Sequence, residues 1–135
     1  MSSSAIYDAF AAKVSTFAAE FSPPMRVAFP GVGVTPPTTG QWLEVRWFPN
    51  ASQNYGLSDD APTLSQGLGQ VSVCYRPGGG IVAGLALAEL VIAEFGKGTM
   101  LADVRVYQRP WVSSVLEEPD RTMHPVTIPW RGFDA

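Results

Sequence analysis

Gln70-Val71-Ser72-Val73-Cys74-Tyr75, then Gly78-Gly79-Gly80, then the apolar run Ile81 to Phe95, then Val104-Arg105-Val106-Tyr107 form one continuous block. The first segment is rich in β-branched and aromatic residues and reads as a strand. The glycines mark a turn, and the run after them is long enough for a helix rather than a strand. A second β-run closes the block. Two uses fit this order: a cofactor-binding strand–glycine–helix unit, and the assembly core of a structural protein.

Gly78-Gly79-Gly80-Ile81-Val82-Ala83 has the G-x-G-x-x-A spacing through which a pyrophosphate approaches backbone N–H groups at a helix start. A dinucleotide fold uses two strand–helix–strand halves, and this chain offers one. Asp103 lies near the offset for a ribose contact, but it precedes the next strand instead of closing it. No Gly-Lys-Ser/Thr follows. The glycines therefore read as a turn that starts a helix, and no cofactor is expected.

The helix is apolar on nearly every side. Ile81, Leu85, Ala88, Ile92 and Phe95 make one stripe, while Val82, Ala86 and Leu90, and Leu87 with Val91, fill the others. Such a helix needs cover on more than one side. A sheet supplies one; the first helix or another subunit supplies the rest.

Outside the block, Ile6, Phe10, Val14, Phe17 and Phe21 form the buried stripe of an amphipathic helix that ends at Ser22-Pro23-Pro24. Met25 to Phe29 reads as a short extended piece. Gln41 to Phe48 alternates, with Leu43, Val45 and Trp47 on one face and Trp42, Glu44 and Arg46 on the other. Asn50 to Gln66 reads as a long, mobile loop, a length usually tied to function. Trp111 to Leu116 and Met123 to Trp130 flank the acidic turn Glu117-Glu118-Pro119-Asp120-Arg121 and read as a hairpin. Pro125 and Pro129 lack N–H donors, which suits a sheet edge or bulges. The expected fold is α+β: one domain, residues 1–135, with a single mixed, mainly antiparallel sheet packed by two helices.

Composition narrows function. Charged residues make up 16% of the chain, below the roughly 25% usual in soluble domains, which favours a partner covering part of the surface. The net charge of -3 and the scatter of Arg105, Arg109, Arg121 and Arg131 along the sequence argue against a nucleic-acid binder. Cys74 is the only cysteine and reads as a small buried hydrophobe. His124, the only histidine, has no metal-ligand spacing around it. Asp59-Asp60 and Glu117-Glu118 are adjacent carboxylates in turns, not an acid/base pair facing one substrate. No serine sits in a nucleophile elbow. No catalytic or metal residue is assigned and no enzyme is expected. Neither a signal peptide nor a membrane span is visible, so the expected setting is cytoplasmic. Trp42 shares a face with charged residues, so it either docks on a partner or packs beneath a loop.

Taken along the chain, the N-terminal helix, Trp42-Leu43-Glu44-Val45, Gly67-Leu68-Gly69-Gln70-Val71-Ser72-Val73, the Pro77-Gly78 turn, Ala88-Glu89-Leu90, Phe95-Gly96-Lys97-Gly98-Thr99, Val104-Arg105-Val106 and Pro125-Val126-Thr127-Ile128-Pro129-Trp130 resemble the framework of the tail terminator proteins of lambda-like, long-tailed bacteriophages. The resemblance implies a non-enzymatic virion protein, assembled in the bacterial cytoplasm and placed at the head-proximal end of the tail. It implies a homohexameric ring that caps the tail tube, stops its polymerisation and meets the head connector. The partners would be further copies of itself, the tail tube protein and a head-completion protein, with neither sequence-specific nucleic-acid binding nor a membrane. The expected subunit or tube contacts are Trp42, Trp111 and the loop residues Gln53, Asn54, Tyr55, Leu57, Asp59 and Asp60. Three alternatives stand beside this reading: another neck or tail-completion protein, a small nucleotide- or ligand-binding domain built on Gly78 to Gly80, and a monomeric regulatory module.

Overall fold

The computed structural model describes residues 3–50, 53–54, 56 and 63–134. In chain order the elements are α1 (Ser3–Ala19), β1 (Val27–Ala28), β2 (Gln41–Pro49), β3 (Gln53–Asn54), β4 (Thr63–Tyr75), α2 (Val82–Glu94), β5 (Met100–Leu101), β6 (Val104–Val106), β7 (Trp111–Val112), β8 (Leu116–Glu117) and β9 (Thr122–Asp134). One sheet runs β1-β2-β4-β9-β6-β5, with β3 added to β4, and β7 and β8 added to β9. β1 pairs parallel to β2 and the other ladders are antiparallel. This is the α+β arrangement expected from the sequence, a mixed and mostly antiparallel sheet with two helices.

Both helices lie on one face. Ile6, Phe10, Val14 and Phe17 of α1 and Leu87, Ala88, Val91 and Ile92 of α2 pack with Leu43, Val45, Val71, Val73, Val126, Ile128 and Trp130 of the sheet. The α1 stripe follows the 3.6-residue period read from the sequence, and Phe21 joins it half-buried. Lys13 ties the two helices together, its Nζ 3.2 Å from Glu94 Oε1 and its ammonium above the Phe95 ring.

Two glycines of β4 let this layer close. Trp47 stands opposite Gly69 and Trp130 opposite Gly67, on the two strands that flank β4. The indoles stack across the gap with centroids 5.2 Å apart. Phe10 drops onto the same place, its ring centroid 5.1 Å from that of Trp47. A Cβ on Gly69 would lie 2.6 Å from Phe10 Cε2, and one on Gly67 would lie 2.5 Å from Trp130 Cζ2. Aromatic bulk thus occupies the space that β4 side chains would otherwise fill.

Three boundaries differ from the sequence reading. Thr63 to Gln66 belong to β4, so the loop expected over 50–66 ends earlier, and Gln53–Asn54 pair with Leu64 and Thr63. The strand expected from Trp111 to Leu116 is two short pieces, β7 and β8, which pair with β9 in succession. Pro125 and Pro129 do not mark a sheet edge, because β9 runs between β4 and β6. The physical reason is that the far side of β9 is segmented. β8 meets residues 122 and 123, β7 meets 126 and 127, and β6 meets 130 and 131. The Pro125 carbonyl accepts a hydrogen bond from Ser113 N–H, so the nitrogen side of Pro125 faces those short strands, and Pro129 faces the same way. Each proline sits where no donor is required.

Candidate assembly interface

α2 buries one side only. Gly84, Leu87, Ala88, Val91 and Ile92 face the sheet and α1. Val82, Leu85 and Leu90 face outward, with exposures of 80%, 37% and 52%. Ala86 and Ala93 continue this surface. The sequence left open whether α1 or something else covers the second side of α2; the end of α1 borders it only at Leu90 and Ala93, which share a groove with Phe17, Glu20 and Phe21, and leaves it exposed. A helix with this much outward apolar surface is unusual in an isolated chain.

Gly84 explains which side faces inward. A Cβ there would lie 2.3 Å from His124 Nε2 and 2.5 Å from Tyr75 Cε1, so only glycine lets the first turn of α2 approach the sheet. Tyr75 Oη donates to the Gly80 carbonyl at 2.9 Å and meets His124 Nε2 at 2.8 Å. With the hydroxyl proton given to Gly80, Nε2 carries the imidazole hydrogen, and Nδ1 has no hydrogen-bond partner. Burial holds the His124 pKa below its ordinary value of 6.5. The sign follows directly. The folded form resists protonation and the unfolded form does not, so this contribution to stability is complete above the unfolded pKa. It is lost as pH falls from there toward the depressed folded pKa. Urea midpoints taken between about pH 7 and about pH 5 should therefore fall, with a slope no steeper than about 1.4 kcal/mol per unit from this group. His124→Gln should flatten the profile, and equal slopes in both proteins would show that His124 plays no part.

The other chemically suggestive groups are also accounted for. Cys74 is fully buried with Trp42 and Met123, and burial together with nearby Glu44 pushes its thiol pKa far up, the reverse of an activated nucleophile. The Gly78 to Gly80 turn follows β4, and the chain re-enters the sheet after α2 through the β5–β6 hairpin. β4 and β6 run in the same direction, but β9 lies antiparallel between them. The turn therefore does not open onto a cleft between adjacent parallel strands, as a dinucleotide site requires. Gly78 and Gly80 have φ of 107° and 76°, the left-handed backbone for which the glycines are needed.

Of the expected contact residues, Trp111 is 44% exposed on β7. Leu116, next along the same side of β9, is exposed as well. Gln53 and Asn54 are placed by their backbone pairing alone. Tyr55, Leu57, Asp59 and Asp60 lie outside the described residues. Trp42 requires a correction, because it is 1% exposed and not a docking aromatic. Its face of the sheet is covered at this end. Cys74 and Met123 flank the ring, the Arg76 guanidinium lies 5.2 Å above it, and its Nε1–H donates to Glu44 Oε2 at 3.1 Å. Arg121 also donates to Glu44, completing the cover. The sequence reading missed the exposed pair Phe48 and Phe133, on the two strands that flank β4. Phe48 was legible as a strand residue, but its exposure was not.

A family described as "Phage tail terminator protein" matches residues 5–130, which take in both helices and the sheet through Trp130. The chain belongs to that family. Membership gives it a part in completing the phage tail and a place in the virion. A solved structure whose name states no function superposes with a TM-score of 0.80, covering 100% of this chain and 97% of its own at 22% identity. That likeness extends to the fold. No curated protein matches the sequence. As a tail terminator fold, the chain exposes apolar side chains on the outward side of α2 and on the β7–β8 rim. No helix among those residues is long and apolar enough to cross a membrane.

Proposed function

We propose that this protein acts without catalysis, as a homohexameric ring that caps the head-proximal end of the tail tube, ends tube polymerisation and presents a surface to the head connector. The outward apolar side of α2 carries the reading, because a small chain gains from leaving it bare only if a neighbouring subunit buries it. A cyclic ring uses two unlike, complementary surfaces on each subunit. Termination is then a difference in binding: one ring face fits the last tube layer, and the other does not accept further tube subunits. Trp111 and the segment holding Gln53, Asn54, Tyr55, Leu57, Asp59 and Asp60 contribute to contacts with neighbouring copies or with the tube.

Electron microscopy of tail tubes assembled with and without the protein tests this. Tubes of defined length with a ring at one end are expected in its presence, and overgrown tubes that fail to join heads in its absence. Tubes of normal length that join heads without the protein would overturn the proposal. Deleting residues 53 to 60 tests the segment separately, and normal tails from that variant would remove it from the interface.

A further inference from the structure

Arg105 of β6 and Arg131 of β9 stand directly opposite one another, and both are exposed. Like charges in register across a ladder repel, so this pair costs the isolated chain stability. Lys97, just beyond α2, joins them around a recess of about 290 Å³ that Gly98, Val106 and Tyr107 complete. The Arg131 guanidinium lies 4.2 Å above the Tyr107 ring, which restrains it without neutralising it. None of the three cations takes part in an ion pair among the described residues; those pairs are Lys13–Glu94, Arg121–Glu44 and Arg121–Glu118. Asp103, in the turn before β6, does not pair with them either. Residues scattered along the sequence thus gather into a positive site on a chain whose net charge is -3.

The opposite end of β9 carries the complement. Glu117 pairs in register with Thr122, and Glu118 and Asp120 lie in the turn between them. Arg121 holds Glu118 at 3.4 Å, and Arg76 donates to the Asp120 carbonyl at 3.1 Å, which fixes the turn. Glu117 and Asp120 are exposed and form no ion pair among the described residues. Thr122 and Arg131 are nine residues apart on one strand, a separation of roughly 30 Å, so the turn and the recess of one copy do not meet. Each copy presents two unlike charged ends, the requirement for a head-to-tail contact.

We propose that the Lys97–Arg105–Arg131 recess receives the Glu117–Asp120 turn of a second copy. The contact rests on the self-association proposed above and assigns residues to it. A polyanion such as nucleic acid is the less suitable occupant, since the chain as a whole is acidic and supplies its own matching carboxylates.

Carbodiimide couples an amine to a carboxylate in direct contact, so a Lys97–Glu117 or Lys97–Asp120 link reports two copies. Mass spectrometry of an equal mixture of isotope-labelled and unlabelled protein identifies such links. Sedimentation of charge-swap variants gives a second readout. Arg105→Glu with Arg131→Glu, and separately Glu117→Arg with Asp120→Arg, should each weaken self-association at least about tenfold. An equal mixture of the two should restore it, because every contact in an alternating assembly is again between opposite charges. The expected result is hybrid Lys97 links together with rescue on mixing. Oligomers that persist with links avoiding Lys97, or that show no rescue, overturn this contact and leave self-association standing. Monomers throughout overturn both. Binding of duplex DNA that is lost in the Arg105→Glu, Arg131→Glu variant, with no hybrid links, overturns the contact in favour of a phosphate partner.

Discussion

Replacing Leu85 and Leu90 together by glutamate is expected to abolish tail completion while leaving the chain folded. Leu85 and Leu90 are 37% and 52% exposed, Leu90 on the rim of a groove that Phe17, Glu20 and Phe21 also line, so in the separate subunit the new carboxylates reach water. Glutamate is a good helix former, and repulsion with Glu89 and Glu94, each four residues beyond a substituted position, costs a few tenths of a kcal/mol apiece. Circular dichroism and urea midpoints should therefore stay within about 1 kcal/mol of the parent. In an assembled ring the same carboxylates would enter an apolar contact without partners. Desolvating each costs several kcal/mol, enough to weaken association by on the order of 100-fold or more. A lysine pair at the same positions should behave alike, which separates lost apolar contact from the sign of the charge. Phage lacking the gene and supplied with either variant should give overlong or headless tails by electron microscopy. Normal tails from both variants would show that this side of α2 is not part of the interface.

Gly69→Val should unfold the protein more readily than almost any other single change in β4. Strand propensity alone predicts the opposite, since valine is favoured over glycine in a strand by up to about 1 kcal/mol. The structure reverses the sign. The added Cβ would meet Phe10 Cε2 at 2.6 Å and Cζ at 2.7 Å, and Phe10 has no room to withdraw. Its ring is fully buried and wedged between Trp47 and Phe95, with both centroid separations at 5.1 Å. Overpacking of this kind costs about 1–3 kcal/mol for the first methyl group, and valine adds more. On a total stability of roughly 5–15 kcal/mol the loss is large. Phe10→Leu should recover part of it in the double variant, so a double-mutant cycle from denaturant titrations identifies the clash as the cause. An unchanged or raised midpoint for Gly69→Val would show that the aromatic layer yields.

Much of this architecture was legible beforehand, for a consistent reason. The α1 stripe, the inward Leu43 and Val45, and the strand–glycine–helix order are local periodicities, and local periodicity survives into the fold. The family framework was legible too, because it consists of the same local signatures spread over most of the chain. What was illegible depended on neighbours distant in sequence. Trp42 alternates with Glu44 and Arg46 and so looks outward, yet Arg76, Arg121 and Met123 arrive from elsewhere to cover it. Pro125 and Pro129 suggest an edge, yet they lie within an interior strand whose far side is broken into short pieces. The Arg105–Arg131 pair is invisible in the sequence, where the two residues are 26 positions apart, and exists only through the register of β6 on β9.

The sequence by itself determined that this is an α+β chain whose second helix carries more apolar surface than one core can use. It determined the turn chemistry at Gly78 to Gly80, because the left-handed backbone at Gly78 and Gly80 favours glycine. Only the tertiary structure decided which side of that helix remains outside, since a helix apolar all round has no preferred side until it meets a surface. Gly84 made the choice by permitting close approach over Tyr75 and His124. The same pairing of distant strands removed the glycine turn from any parallel cleft and set the charges at opposite ends of β9. The block that began as a choice between a phosphate cradle and an assembly core is, in three dimensions, a split crossover with one bare apolar side.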